Sequence, residues 1–243
     1  FGLARDREGN IFVGGHEERS AAKVWMIRKY DASLQNLLST TDYDAPTAGM
    51  EYLNSIALDA AGNLVAFGHE GNPGANYDWR VRRYDPTLAV LLSTTQYGVP
   101  ASNNEWGYGV AIDPGGAIIV AGREAALTNW GIIKYDNAFN ILEYRYRESV
   151  LNGNDFAYGV AAQGKDGYVV AGYESVPGES ANAAVARYSS VPFDHPGTPV
   201  ISDIHGQNEQ VYLNWFGAPD GTRAVANYAV YRSACESCTQ TRV

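Results

Sequence analysis

Carboxylates recur along this chain at spacings where they could share a proton, hold a cation or tie down a loop. Gly-x-Glu closes an apolar run four times, at Glu17, Glu70, Glu124 and Glu174. A second acidic position recurs ahead of three of those runs, at Glu51, Glu105 and Asp155. Oxygen ligands of this kind suit Ca²⁺ or a cationic ligand. The competing reading is a repeated hydrogen-bonded cluster that ties each loop to its neighbour. His16 and His69 stand between the Gly and the Glu in two copies, where Arg123 and Tyr173 stand in the others. A histidine beside a glutamate can do acid–base work, or it can be a plain loop residue. Tyr77, Asn103, Asn104 and Trp106 fall in neighbouring loops, and aromatics with amides suit sugar or peptide binding.

The elements that would position these groups repeat. Ile11–Gly15, Leu64–Gly68, Ile118–Gly122 and Tyr168–Gly172 are short apolar strands whose last glycines recur about every fifty residues. A first strand precedes each: Phe1–Asp6, Ser55–Asp59, Tyr108–Asp113 and Tyr158–Ala162. Ala61-Gly62-Asn63, Gly115-Gly116 and Asp166-Gly167 read as two-residue hairpin turns. Third strands follow at 25–30, 79–84, 130–135 and 184–188, then turns opened by Asp31, Asp85 or Asp136. Fourth strands follow at 37–43, 91–97 and 141–147. Each run is short, rich in β-branched residues and closed by Gly or Asp, which argues against helix. Four antiparallel strands per unit make a β-propeller blade, and the near-continuous apolar inner strands fit sheets buried on both faces.

On this reading the rim acids lie at one end of the strands and two carboxylates belong to each blade. Strands lie about 4.8 Å apart, so Glu70 sits one strand out from the innermost position, which favours the tying role. At the other end Lys29, Arg83, Lys134 and Arg187 close the third strands, and Asp6, Asp59 and Asp113 close the first ones. Charge pairs are expected there, except for Arg187, because Gln163 replaces the aspartate in the fourth unit.

The fold class is therefore all-β. Residues 1–191 read as propeller repeats (about 1–50, 51–104, 105–154 and 155–191), 192–196 as a linker and 197–243 as a separate module. The fourth unit lacks a fourth strand. The chain opens at Phe1 without Met, so it reads as a fragment or processed product, with the missing strand and further blades expected upstream. Cys235 and Cys238 are the only cysteines. Their spacing reads as a loop-clamping disulfide, with two free thiols or half of a zinc site as the other readings.

A net charge of −9 argues against nucleic acid or an anionic membrane as partner. No apolar run is long enough to span a bilayer. The sequence has no phosphate-binding glycine loop, no Gly-x-Ser-x-Gly elbow and no paired zinc spacing beyond the two cysteines. Apart from Ca²⁺ at the rim, no cofactor is expected.

The pattern Gly-Val-Ala-Ile-Asp-x-x-Gly-x-Ile-x-Val-Ala-Gly followed by Trp-x-x-x-Lys-Tyr-Asp, at residues 109–136, resembles bacterial delta-60 and SBBP-type propeller repeats. Residues 197–243 resemble the first half of a fibronectin type III domain, with Trp215 and Tyr228 as its core. The resemblance implies a secreted or cell-surface bacterial protein and carries no fixed catalytic set. The expected function is a non-catalytic binding or display scaffold for an extracellular protein or carbohydrate. Its contacts would be Glu51, Glu70, Tyr77, Glu105, Trp106, Glu124 and Asp155. The alternative is an extracellular propeller lyase or hydrolase acting on a polymer, with His16 or His69 as base and Glu17, Glu70, Glu124 and Glu174 as partners or metal ligands.

Overall fold

The computed structural model describes residues 1–19, 22–45, 50–71, 76–98, 104–124, 129–147, 154–165, 167–176 and 179–189. Of residues 176 and 179–181, and of the strands beyond 199, it describes the backbone alone. The chain divides into two compact units, Phe1–Ser189 and Ser190–Val243.

All regular structure among the described residues is β. The first unit is a series of antiparallel meanders. Sheet one is β1 (Gly2–Arg5), β2 (Ile11–Arg19), β3 (Ala22–Tyr30) and β4 (Leu37–Tyr43). Sheet two is β5 (Glu51–Leu58), β6 (Leu64–Gly71), β7 (Tyr77–Tyr84) and β8 (Leu91–Tyr97). Sheet three is β9 (Trp106–Ile112), β10 (Ile118–Glu124), β11 (Asn129–Tyr135) and β12 (Ile141–Arg147). Sheet four has three strands, β13 (Phe156–Ala162), β14 (Gly167–Val176) and β15 (Glu179–Ser189). The second unit carries two strand pairs, β16 (Val200–Gln207) with β17 (Gln210–Phe216), and β18 (Tyr231–Arg232) with β19 (Thr241–Arg242).

The sheets of the first unit stack in chain order, and each junction has its own apolar core. Phe12, Trp25 and Ile27 meet Leu53, Leu64 and Ala66. Val65, Phe67, Trp79 and Val81 meet Ile118, Val120 and Ile133. Ile119, Trp130 and Ile132 meet Tyr168, Val170 and Ala186. The first strands β1, β5, β9 and β13 lie side by side, and the fourth strands pack mainly within their own sheets. Strands β6, β10 and β11 are buried along their whole length, which is why they are written as apolar runs without alternation.

The final glycine of each apolar run is fixed by crowding. The first strand bulges opposite Gly68, Gly122 and Gly172 and presses a carbonyl onto each. A Cβ there would overlap the carbonyl oxygen of Tyr52, Trp106 or Phe156 respectively. Such bulges bend a strand and re-aim the side chains beyond them.

The turns differ from expectation. The Asp59–Asn63 loop has three residues between its ends, with Gly62 N–H donating to Asp59 at 3.0 Å and Gly62 at φ 84°. It is a type I turn followed by a left-handed residue, a longer hairpin than the two-residue turn read from the sequence. In the fourth unit Gly164 takes the positive φ, and Gly167 begins β14 instead. First strands also start earlier than expected, at Glu51, Trp106 and Phe156, because pairing continues past the bulge.

Candidate functional site

One end of the strands gathers most of the residues singled out above. Glu51 pairs in register with Glu70, and Tyr52 with His69. Trp106 pairs with Arg123, and Phe156 with Tyr173. Successive side chains on a strand alternate in face. The acids of a sheet therefore turn toward the preceding sheet, and the residues beside them turn toward the following one.

The acid face is a set of internal ties. The Tyr43 hydroxyl of sheet one donates to Glu70 Oε2 of sheet two at 2.7 Å, and Arg80 forms an ion pair with the same carboxylate. At the corresponding place in the next junction but one, Arg147 of sheet three grips Glu174 of sheet four through Nε and through Nη2, the latter at 3.0 Å. Asp155 accepts a hydrogen bond from the Ser175 amide at 2.8 Å. Glu51, Glu70, Glu105, Glu124, Asp155 and Glu174 are all buried, whereas Glu17 of sheet one is half-exposed and paired with Arg19. Burial pushes the Glu51 carboxyl up to about 7, helped by the nearby charges of Asp44 and Glu70. The metal candidates Glu17, Glu70, Glu124 and Glu174 stand one per sheet. Among the described residues no group of three or more His, Cys, Asp or Glu side chains is placed to hold a metal ion. Cys235, Cys238 and Asn103 lie outside the described residues.

The opposite face carries a continuous row of rings. Phe1 stacks on His16 at 5.3 Å, and His16 meets Tyr52 at 5.1 Å. Tyr52 stacks on His69 at 4.9 Å, and Tyr77 closes on both. His69 reaches Tyr108 at 6.4 Å, and Tyr108 meets Tyr158 at 4.9 Å. Phe156 joins Trp106, Tyr158 and Tyr173. Arg123 lies over the rings of Trp106 and Phe156, at 4.8 and 5.4 Å, and donates to Asn154 Oδ1 at 2.9 Å.

The two histidines therefore converge, but on the Tyr52 ring, with the rim carboxylates of their own sheets on the other face. Burial lowers the His69 imidazole to about 4, and the backbone carbonyl of Gly107 acts in the opposite sense. The His16 imidazole is lowered by burial and then by the Lys23 and N-terminal charges. The candidates Tyr77 and Trp106 belong to the ring row, whereas Glu51, Glu70, Glu105, Glu124 and Asp155 belong to the acid face.

Sequence reasoning overlooked most of the row: Phe1, Tyr52, Tyr108, Phe156, Tyr158, Tyr173 and the caged Arg123. The signal was present. The residue after each first-strand acid, Glu51, Glu105 and Asp155, is aromatic, Tyr52, Trp106 and Phe156, and strand alternation puts it on the face opposite that acid.

No family model matches the chain, and no curated protein matches it. Among solved structures the chain is similar to a subtype N10 neuraminidase-like protein of A/little yellow-shouldered bat/Guatemala/060/2010, with 10% identity and a TM-score of 0.41. That match covers 74% of this chain and 63% of the other, so the chain spans less than two thirds of that protein's length.

Proposed function

We propose that the first unit is a set of propeller blades serving as a non-catalytic, extracellular binding scaffold, with a fibronectin-type-III-like module following it. The ligand in this reading is a carbohydrate held on the ring row. The observation that carries the reading is the row itself, which runs across all four sheets and keeps Phe1 and Tyr158 open to solvent. Aromatic faces supply apolar contact to the flat faces of sugar rings, and the tyrosine hydroxyls supply hydrogen bonds at little entropic cost. Glu70, Asp155 and Glu174 are already engaged in internal hydrogen bonds and ion pairs, and the rings supply the outward apolar chemistry of this end.

The test is a glycan array probed with the whole chain and with a Tyr108→Ala/Tyr158→Ala double variant. The expected result is binding to one saccharide class that the variant loses. Binding that survives in the variant, or an array with no hits beside capture of a peptide ligand, would sink the carbohydrate reading.

A further inference from the structure

The two end faces of the four-sheet series are built like the faces that its internal junctions bury. On sheet one, Leu3, Val13 and Leu34 occupy the positions of Ile56, Ala66 and Leu88 in sheet two. The sheet-two residues are 6%, 0% and 3% exposed, whereas their sheet-one equivalents are 71%, 41% and 58% exposed. On sheet four, Val185 occupies the position of Ile27, Val81 and Ile132. Those three are each 1% exposed, and Val185 is 58% exposed. A face that keeps apolar residues exposed at junction positions among the described residues is an association surface.

The two faces also match each other in size. Where sheet two meets sheet three, a large tryptophan meets small residues, Trp79 resting against Gly122 and Gly131. At the ends the sizes are reversed. Sheet four has Ala183 at the tryptophan position, opposite Tyr173 in register. Sheet one has Met26 at the position of Gly131, opposite Gly15. Ala183 leaves the room that Met26 fills.

The charges continue the pattern. Lys29, Arg83 and Lys134 each donate to a turn carbonyl of the following sheet, at Pro86, Asn137 and Lys165. Arg187 is the fourth of this series and is exposed, with no ion pair among the described residues.

We infer that a second copy of this chain covers both faces, sheet four of each copy packing on sheet one of the other, so that two chains close head to tail. Such a contact is heterologous at each junction, and two of them related by a two-fold axis form a closed ring. Arg187 then donates to the Asp31–Asn36 turn of the second copy, at the place Pro86 holds in sheet two. The inference rests on the sheet junctions and is independent of any ligand on the ring row.

The test is sedimentation of the full chain over a wide concentration range, with the variants Leu3→Glu and Val185→Lys. The expected wild-type species is twice the 26.3 kDa of one chain at high concentration. Each variant alone should weaken association on the order of thirtyfold. Mixing the two should restore a dimer, because one junction of the mixed pair is then wild type on both sides. Both residues are exposed, so unchanged melting curves and circular dichroism show that the variants fold. A monomer at every concentration, variants that associate like wild type, or a mixture that fails to recover would each overturn the inference.

Discussion

The two ends of the strands solve the same problem differently. At the turn end, Asp6, Asp59 and Asp113 pair with Lys29, Arg83 and Lys134, sheet after sheet. Asp59 and Asp113 also accept the amides of Asn63 and Ala117 at 2.8 and 2.9 Å, which closes the hairpin. An aspartate and a basic residue do one job in three of the four sheets. At the ring end only the acid face is constant, and the face beside it changes from His to His to Arg to Tyr at positions 16, 69, 123 and 173. Strand alternation separates the two by a single residue. Recurrence marks the scaffold, and in the proposed function variation at the next residue marks the surface offered to a ligand.

The hardest way to break the comparison is to remove a charge from the constant end. Asp113→Ala leaves Lys134 buried without its carboxylate at 2.9 Å and opens the hairpin. The expected loss is about 3–5 kcal/mol, or about 2–4 °C of melting temperature for each kcal/mol in a unit of this size. Thermal melts should show it. Arg147→Ala should cost about as much at the ring end, since it strands Glu174. If Arg147→Met with Glu174→Gln recovers most of that loss, the tie fixes the junction and adds little net stability.

The next effect separates the ends by pH. Glu51 has a folded value raised to about 7 from an ordinary 4.5. Its contribution is full below about 4.5 and is lost as pH rises through about 7. His69 is lowered from 6.5 to about 4, so its contribution is present above 6.5 and is lost as pH falls through about 4. Both groups sit at the ring end. Glu51→Gln should remove several degrees of the fall in melting temperature between about pH 4.5 and 7, and His69→Phe should remove the fall between about pH 6.5 and 4. A Glu51→Gln protein that loses stability between about pH 4.5 and 7 as wild type does would show that this carboxyl titrates alike in the folded and unfolded chain.

Much of this was legible in the sequence, for physical reasons. Fourth strands 37–43, 91–97 and 141–147 were read without error because Asp turns on one side and a hydrophobic–polar alternation on the other leave one register. The Lys29–Asp6, Arg83–Asp59 and Lys134–Asp113 pairs followed from recurrence alone. The turns were harder. Type I turns with a left-handed fourth residue and two-residue hairpins draw on the same Gly and Asn, and nothing local tells Gly164 from Gly167. The ring row was missed because its members come from the first two strands of four sheets, with Tyr77 from a third. Each is an ordinary strand aromatic until bulges at Leu53, Gly107 and Ala157 aim the ends of neighbouring strands together.

The smallest stability effect is the sharpest test of the contrast. Tyr158 is 48% exposed, and its ring meets the row members Tyr108, Phe156 and Tyr173. Tyr158→Ala should change stability by no more than about 0.5 kcal/mol, yet weaken saccharide binding on the order of tenfold or more, as loss of one aromatic platform does. Asp113→Ala should do the reverse at temperatures where it stays folded, with a lower melting point and an unchanged dissociation constant. Titration calorimetry beside thermal melts of the two variants reads both quantities. If Tyr158→Ala binds as wild type does and melts lower, the row is a packing device between sheets, and the variable face is no more a ligand surface than the constant one.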